Sequence, residues 1–91
     1  MRRYITRIIR TTRSIPHISL GASPRAAVML MAAAKGKAVV MNRTYVTPDD
    51  VKAMAAPVLR HRIILQPEAE VEGITADQCI KSMLQQVEVP R

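Results

Sequence analysis

The chain has 91 residues, which is one domain at most and buries only about 60–65% of the surface that its unfolded form exposes. Tyr4 and Tyr45 are its only aromatic residues, so its core consists of aliphatic residues and methionine; this favours helices packed on helices over an all-β sandwich. The single cysteine, Cys79, excludes an internal disulfide, and we expect it to be a small buried apolar residue in a reducing, cytoplasmic compartment.

Charge is distributed unevenly along the sequence. The formal net charge is +7, yet the first 43 residues hold nine basic residues and no acidic one, while the remainder holds five basic and seven acidic residues. A basic half of this kind suits phosphates, an acidic lipid surface or an acidic protein partner.

Residues 2–13 predict a first, amphipathic helix. Tyr4, Ile5, Ile8 and Ile9 share one side of a helical wheel, and five arginines occupy the opposite arc: Arg2, Arg3, Arg7, Arg10 and Arg13. Such a segment suits a mitochondrial targeting peptide, a helix on a membrane surface or one helix of a bundle. We favour the bundle helix, because its apolar side is needed to complete a core that otherwise has three helices.

The second predicted helix covers residues 24–41. Ser23 is placed to cap it with its hydroxyl, and Pro24 suits the first helical position. The run from 26 to 34 is apolar on every face, which predicts a helix buried by neighbours on several sides and, once Lys35 interrupts it, too short to span a membrane. Arg25 lies in the first turn, where a cation gains nothing from the helix dipole. It is therefore either an exposed arginine at a loop–helix junction or a ligand for an anion.

A third helix is predicted over residues 48–61. Thr47 and Asp50 have the spacing of a capping box, and Pro57 should kink or restart the helix. On either side of it, residues 45–46 and 63–65 are short and apolar enough to pair as a minimal two-stranded ribbon.

The last part of the chain predicts an exposed strap followed by a fourth helix. Glu68, Glu70 and Glu72 alternate with small or apolar residues in the strap. A capping box of Thr75 and Gln78 begins a helix over 76–87, which ends before Pro90. The expected fold class is therefore all-α, a four-helix bundle with the small ribbon as its only sheet.

Motifs for self-contained catalysis are missing from the sequence. It has no phosphate-binding glycine-rich loop followed by Lys-Ser/Thr, no Ser/His/Asp arrangement and no Cys/His cluster with metal-ligand spacing. His17 and His61 are isolated and are expected to be structural or surface residues. We therefore expect this chain alone to be inactive and to hold no metal.

Three motifs, in order and spacing, resemble the C-terminal lid domain of MoxR-family AAA+ ATPases. They are GASPRA at 21–26, YVTPDDV at 45–51 and VLRHRI at 58–63, and the closing VEVP at 87–90 is also similar to that family's end. The resemblance extends over the chain from Tyr4 onward. The ATP-binding core of the family, with its Walker A and Walker B segments and its arginine finger, is absent, so residues 1–91 are expected to form a single lid domain.

The resemblance implies a role for the start of the second helix. In that family the bundle packs against a nucleotide-binding core, and Arg25 falls on the position of the sensor-II arginine that reaches the γ-phosphate of ATP. It implies Arg25 as a catalytic and nucleotide-binding residue, Ser23 as a second nucleotide contact, and ATP with Mg²⁺ bound mainly by the core. Arg60 and Arg62 are candidates for contacts with the core or a neighbouring subunit.

The resemblance also implies what the parent protein does. MoxR-like proteins are ATP hydrolases that act as hexameric, chaperone-like motors, maturing or inserting cofactors into client proteins, often with a von Willebrand factor A-domain partner. An alternative from another class is a small basic helical module that binds nucleic acid through the Arg2–Arg13 face with Lys35 and Lys37. Nucleic acid is not favoured, because no aromatic residues are interleaved with these cations, and attachment of the first helix to a membrane is weaker still.

Overall fold

The computed structural model describes residues 1–21 and 23–89. Ala22 of the GASPRA motif and Pro90 of the closing VEVP lie outside the described residues, and so does the helix stop predicted at Pro90. In the described part, five helices and one two-stranded ribbon occur in this order: α1 Arg2–Thr12, β1 Ile18–Leu20, α2 Pro24–Val40, α3 Pro48–Leu59, β2 Ile64–Leu65, α4 Pro67–Val71 and α5 Ala76–Gln86. The ends of the four predicted helices differ from these bounds by at most two residues.

The first helix is amphipathic, as the wheel predicted. Tyr4, Ile5, Ile8 and Ile9 are 4% exposed or less and join the core, whereas all five arginines of the opposite arc are exposed. Residues from α3 and α5 complete that core, among them Val51, Leu59, Ile80, Met83 and Cys79. The interpretation of residues 2–13 as one helix of a bundle is therefore confirmed.

Only one side of α2 is buried, so the prediction of burial on several sides is wrong. Ala26, Leu30, Ala34 and Ala38 recur every four residues and are 3% exposed or less, forming a single inward stripe. Packing is most extensive between α2 and α3. Val28, Val39 and Val40 lie on other sides and remain at least 70% exposed. A domain with this few helices has too few neighbours to cover a 17-residue helix all round.

The turn between α2 and α3 is held by a bidentate ion pair. Arg43 donates from Nη1 and Nη2 to the two carboxylate oxygens of Asp50, at 2.6 and 2.5 Å. Asp50 is 2% exposed and also accepts from the backbone N–H of Thr47, whose hydroxyl accepts in return from the N–H of Asp50. The predicted capping box is thus confirmed, and α3 continues through Pro57 as one helix instead of restarting there. The second predicted box, of Thr75 with Gln78, also forms.

The ribbon exists, but its predicted partner is wrong. β2 pairs antiparallel with β1, and not with residues 45–46. The hydroxyl of Ser19 donates to the carbonyl of Ile64, and the N–H of Gln66 donates to the carbonyl of His17. Tyr45 cannot reach this ribbon, because Arg43 holds its carbonyl beside the start of α3 and leaves its side chain 63% exposed.

The predicted strap is also wrong, because residues 67–71 form the short helix α4. Pro67 stands at its first position, and Ala69 anchors it with 2% exposure. Gly73 follows the end of the helix, and its φ of +84° allows its own N–H to donate to the carbonyl of Glu70 and the N–H of Ile74 to donate to the carbonyl of Ala69. The alternation of charged residues predicts an extended segment. Pro67 instead begins a short helix, and Gly73 supplies the positive φ that closes its end.

The segment before α2 packs closely against the end of α1. A Cβ at Gly21 would lie 2.7 Å from Cγ of Arg13 and 2.9 Å from backbone atoms of Arg13 and Thr12. Only a residue without a side chain fits this approach, which brings the start of α2 against α1.

Acid should weaken the domain through Asp50. Hydrogen bonds from Arg43 and from the backbone of Thr47 hold the pKa of Asp50 well below its ordinary value of 3.8. Because the pKa is lowered in the folded state, the stabilisation is complete above 3.8 and is lost as pH falls toward the folded value. Asp50→Asn should therefore be less stable than the unmodified chain at pH 7, by a margin that shrinks below pH 4, in urea unfolding followed by circular dichroism. Asp49→Asn, in the same turn but exposed, is the control, and a margin independent of pH would contradict this account.

The glycine contact can be tested with a matched pair of variants. Gly21→Ala should lower the free energy of unfolding by about 1–3 kcal/mol, the usual cost of overpacking against atoms that cannot move aside. Gly36→Ala should raise it by about 0.5–1 kcal/mol, because Gly36 lies inside α2 and its Cβ would meet nothing within 4 Å. Both changes in the free energy of unfolding can be measured by urea denaturation. Equal effects of the two alanines would show that the approach of Gly21 to α1 is loose.

Candidate functional site

The candidate site is the start of α2, where Ser23, Pro24 and Arg25 follow one another. Ser23 is the N-cap residue, with extended backbone at φ −79° and ψ 165°, and its carbonyl accepts from the N–H of Ala26 at 2.9 Å. Its side chain makes no capping hydrogen bond, so the predicted hydroxyl cap is wrong. The proline at the first position and the extended serine are sufficient to begin the helix, and the exposed hydroxyl is left facing solvent.

Arg25 occupies the second position of α2 and is exposed. The side chain of Arg25 lies outside the core, and only the next residue, Ala26, turns into it. Within residues 1–21 and 23–89 its guanidinium makes no hydrogen bond and no ion pair. It is therefore an arginine with all its donors available, beside backbone N–H groups that themselves favour an anion.

A line of exposed residues continues from Arg25 along α2. The line consists of Arg25, Met29, Ala32, Gly36 and Val40, spaced by four or three residues so that they share one side of the helix. We call it the α2 stripe. Val40 is 78% exposed and Met29 is 37% exposed. Sequence reasoning missed the stripe, because every side of α2 is apolar and only the position of α3 shows which side remains uncovered.

The two arginines after α3 have different surroundings. Arg60 donates from Nε and Nη2 to the carboxylate of Asp77, each at 3.0 Å, which joins the end of α3 to the first turn of α5. Arg62 is exposed and has no hydrogen bond or ion pair to the part of the chain that the structure describes. Arg60 therefore contributes within the domain, whereas Arg62 is available to another surface; the interface role of either stays a prediction.

The arginine face of α1 lacks the exposed aromatic side chains on which nucleic-acid bases would stack. Of the two aromatic residues, Tyr4 is buried in the core, with burial and the negative charge of Asp49 raising its pKa, and Tyr45 lies beyond α2. Among the described residues, no helix has the length and apolar content needed to cross a membrane, and no His, Cys, Asp and Glu side chains are grouped as metal ligands would be.

Comparison with known proteins identifies relatives over nearly the whole chain. The family model of the AAA lid domain matches residues 10–83. The protein YeaC of Bacillus subtilis, which has no assigned function, is 41% identical over 90 residues, and these cover 99% of this chain and 28% of YeaC. The chaperone MoxR1 of Mycobacterium tuberculosis is 35% identical over 97 residues, which cover 97% of this chain and 26% of that protein.

A solved structure has the same fold. The crystal structure of a protein from Cytophaga hutchinsonii, assigned as an ATPase, superposes with a TM-score of 0.91 at 38% sequence identity. The match covers 99% of this chain and 30% of the other. The chain thus spans only about a quarter to a third of the length of these relatives.

Proposed function

Because this chain belongs to the AAA lid domain family and is a lid of the MoxR type, we propose that it closes on the nucleotide-binding core of an ATPase and presents Arg25 to the γ-phosphate of ATP. The observation that carries the proposal is the position of Arg25, which stands at the N-terminal end of the exposed α2 stripe.

The α2 stripe supports docking of the lid on its core. Apolar residues that lie exposed in a continuous line are typical of a surface that another protein segment covers. The relatives are three to four times as long as this chain, so their length leaves room for a further domain that such a surface could contact. With the stripe covered, Arg25 lies at the end of the contact, where a nucleotide bound to the core can meet it.

The chemistry of Arg25 fits phosphate oxygens. A guanidinium remains charged at any physiological pH and offers paired N–H donors in the planar geometry that phosphate accepts. Among the described residues no carboxylate is paired with it. Ser23 lies two residues away with an exposed hydroxyl and is the second candidate contact.

Arg25 would act in two ways. ATP supplies the γ-phosphoryl group, whose negative charge increases during hydrolysis. In this proposal the core domain binds Mg²⁺. A fixed cation at that charge lowers the barrier by electrostatic stabilisation. Since the same cation is part of the lid, loss of the γ-phosphate weakens the hold between lid and core and allows the lid to move.

The wider proposal concerns the intact protein. We assign it to hexameric, cytoplasmic AAA+ motors that remodel client proteins or insert cofactors, with a von Willebrand factor A-domain protein as a possible type of partner. The relative MoxR1 is named a chaperone, which supports this assignment. In the ring, Arg62 is the better candidate for contact with a neighbouring subunit, because Asp77 already occupies Arg60.

Substitution of Arg25 in the intact ATPase that carries this lid tests the proposal. Arg25→Ala should lower kcat by about 10²–10³, because one preformed charge donor to the transition state is lost, while nucleotide affinity changes less. Arg25→Lys should recover only part of the rate, since an ammonium cannot donate in the paired geometry. Hydrolysis is followed by phosphate release, and affinity by fluorescence of a labelled nucleotide.

The control is Arg7→Ala, which removes another exposed arginine of the same domain and should leave kcat unchanged. Circular dichroism of each variant verifies that the lid is folded. Equal hydrolysis by Arg25→Ala and the unmodified protein would show that Arg25 is structural or belongs to another interface.

A further inference from the structure

A groove of about 480 Å³ lies between α1 and α2, and it adjoins the α2 stripe at Ala32 without including Met29, Gly36 or Val40. Its apolar lining includes Ile5, Ala27 and Met31, which are buried or half-buried, and two exposed cations, Arg2 and Lys35, also line it. Neither cation has an ion pair within the described part of the chain. The groove is therefore an apolar recess with uncompensated positive charge.

The helix α4 has the opposite character. Val71 at its end is 88% exposed, and Glu68, Glu70 and Glu72 beside it are all exposed. We call residues 68–72 the acidic knob. Its shape is fixed, because Ala69 is buried beneath it and the N–H groups of Gly73 and Ile74 close its end by 3.0 Å hydrogen bonds to the carbonyls of Glu70 and Ala69.

The remaining carboxylates do not offer an equal match to the groove. Asp50 and Asp77 are paired with Arg43 and Arg60, inside the domain. Asp49 in the first turn of α3 and Glu88 after α5 are exposed, but each is a single carboxylate without a nearly fully exposed aliphatic neighbour. Of the described segments, the knob alone combines several free carboxylates with a nearly fully exposed aliphatic side chain.

We propose that the acidic knob of one copy of this chain docks in the α1–α2 groove of a neighbouring copy. Val71 enters the apolar recess, and the flanking Glu70 and Glu72 face Arg2 and Lys35. Complementary charge gives such a contact its orientation and its dependence on salt, while the apolar tip contributes the burial. Of the α2 stripe only Ala32 borders the groove. Arg25, Met29, Gly36 and Val40 do not line it, so the contact and the docking of the lid on its core meet at one residue and use otherwise different surfaces.

The two surfaces are different, so the contact is heterologous. Each copy offers one knob and one groove, so the contact can repeat from one copy to the next, and it forms a ring when the rotation between neighbours closes. A contact through a single knob is small and hence weak between separate domains. In an assembled ring it would add to other contacts and fix the order of neighbouring lids.

Charge reversal on each surface tests the proposal with the 91-residue chain itself. In sedimentation velocity at 100 mM NaCl, the weight-average sedimentation coefficient of the unmodified chain should rise with concentration up to about 1 mM and should rise less at 500 mM NaCl. The knob variant Glu70→Lys/Glu72→Lys and the groove variant Arg2→Glu/Lys35→Glu should each lose association about tenfold or more. An equimolar mixture of the two variants should recover it, because each then meets surfaces of opposite charge.

Net charge cannot produce this pattern. The knob variant becomes more basic and the groove variant less basic, so a general repulsion between copies would change in opposite directions in the two. The control Arg7→Glu/Arg10→Glu changes the net charge of the chain by the same amount as the groove variant, at exposed positions of α1 outside the groove, and should keep the association.

Three outcomes would overturn the proposal. The first is a sedimentation coefficient of the unmodified chain that does not depend on concentration. The second is association that persists in both reversed variants, above all if Val40→Asp in the α2 stripe abolishes it. The third is a mixture that associates no better than its components. The hydrolysis test of Arg25 is independent of all three, so failure of one proposal is distinguishable from failure of the other.

Discussion

The rest of the structure depends on which side of α2 is turned toward α3. Ala26, Ala34 and Ala38, with Leu30 between them, leave room for a close approach of α3 along the inward side of the helix. Because this side is used for the core, the line through Arg25, Met29 and Val40 faces outward even though most of its residues are apolar. The groove beside α1 follows from the same choice. The candidate site, the docking surface and the recess are thus three consequences of one packing arrangement.

The carboxylates of the chain serve two different purposes. Asp50 and Asp77 lie at helix starts and bind Arg43 and Arg60, so they connect α2 to α3 and α3 to α5 within the domain. The glutamates of α4 have no such partner among residues 1–21 and 23–89, and the arginine side of α1 has no carboxylate on its own half of the sequence. The surface therefore keeps the separation of charge that the sequence has, and it is this separation that gives the domain distinct faces for distinct neighbours.

Most local signals in the sequence predicted local structure, although the hydroxyl cap of Ser23 and the extended strap at 67–71 failed locally. The other failures, the strand partner and the burial of α2, concern distant contacts. The boxes at Thr47 and Thr75 were predictable because the cap and its partner are three residues apart. The strand predicted at Tyr45 is wrong because strand pairing depends on which distant segment lies alongside. Arg43 holds the carbonyl of Tyr45 away from the ribbon. In α2 no pattern separates Leu30, which is buried, from Met29, which is exposed, since all its sides are apolar. The role of Arg25 rests on a motif resemblance, because neither its charge nor its position at a helix start is specific enough.

Cys79 makes the internal rigidity of the lid accessible to measurement. It is 4% exposed on α5, and burial raises the pKa of its thiol, so a thiol reagent reaches it only when α5 separates from the core. No other thiol in the chain contributes to the signal. Arg60 joins the start of α5 to the end of α3. Slow labelling of Cys79 would therefore indicate a lid that moves as one rigid body, and fast labelling would indicate a lid in which α5 separates from the core during the motion.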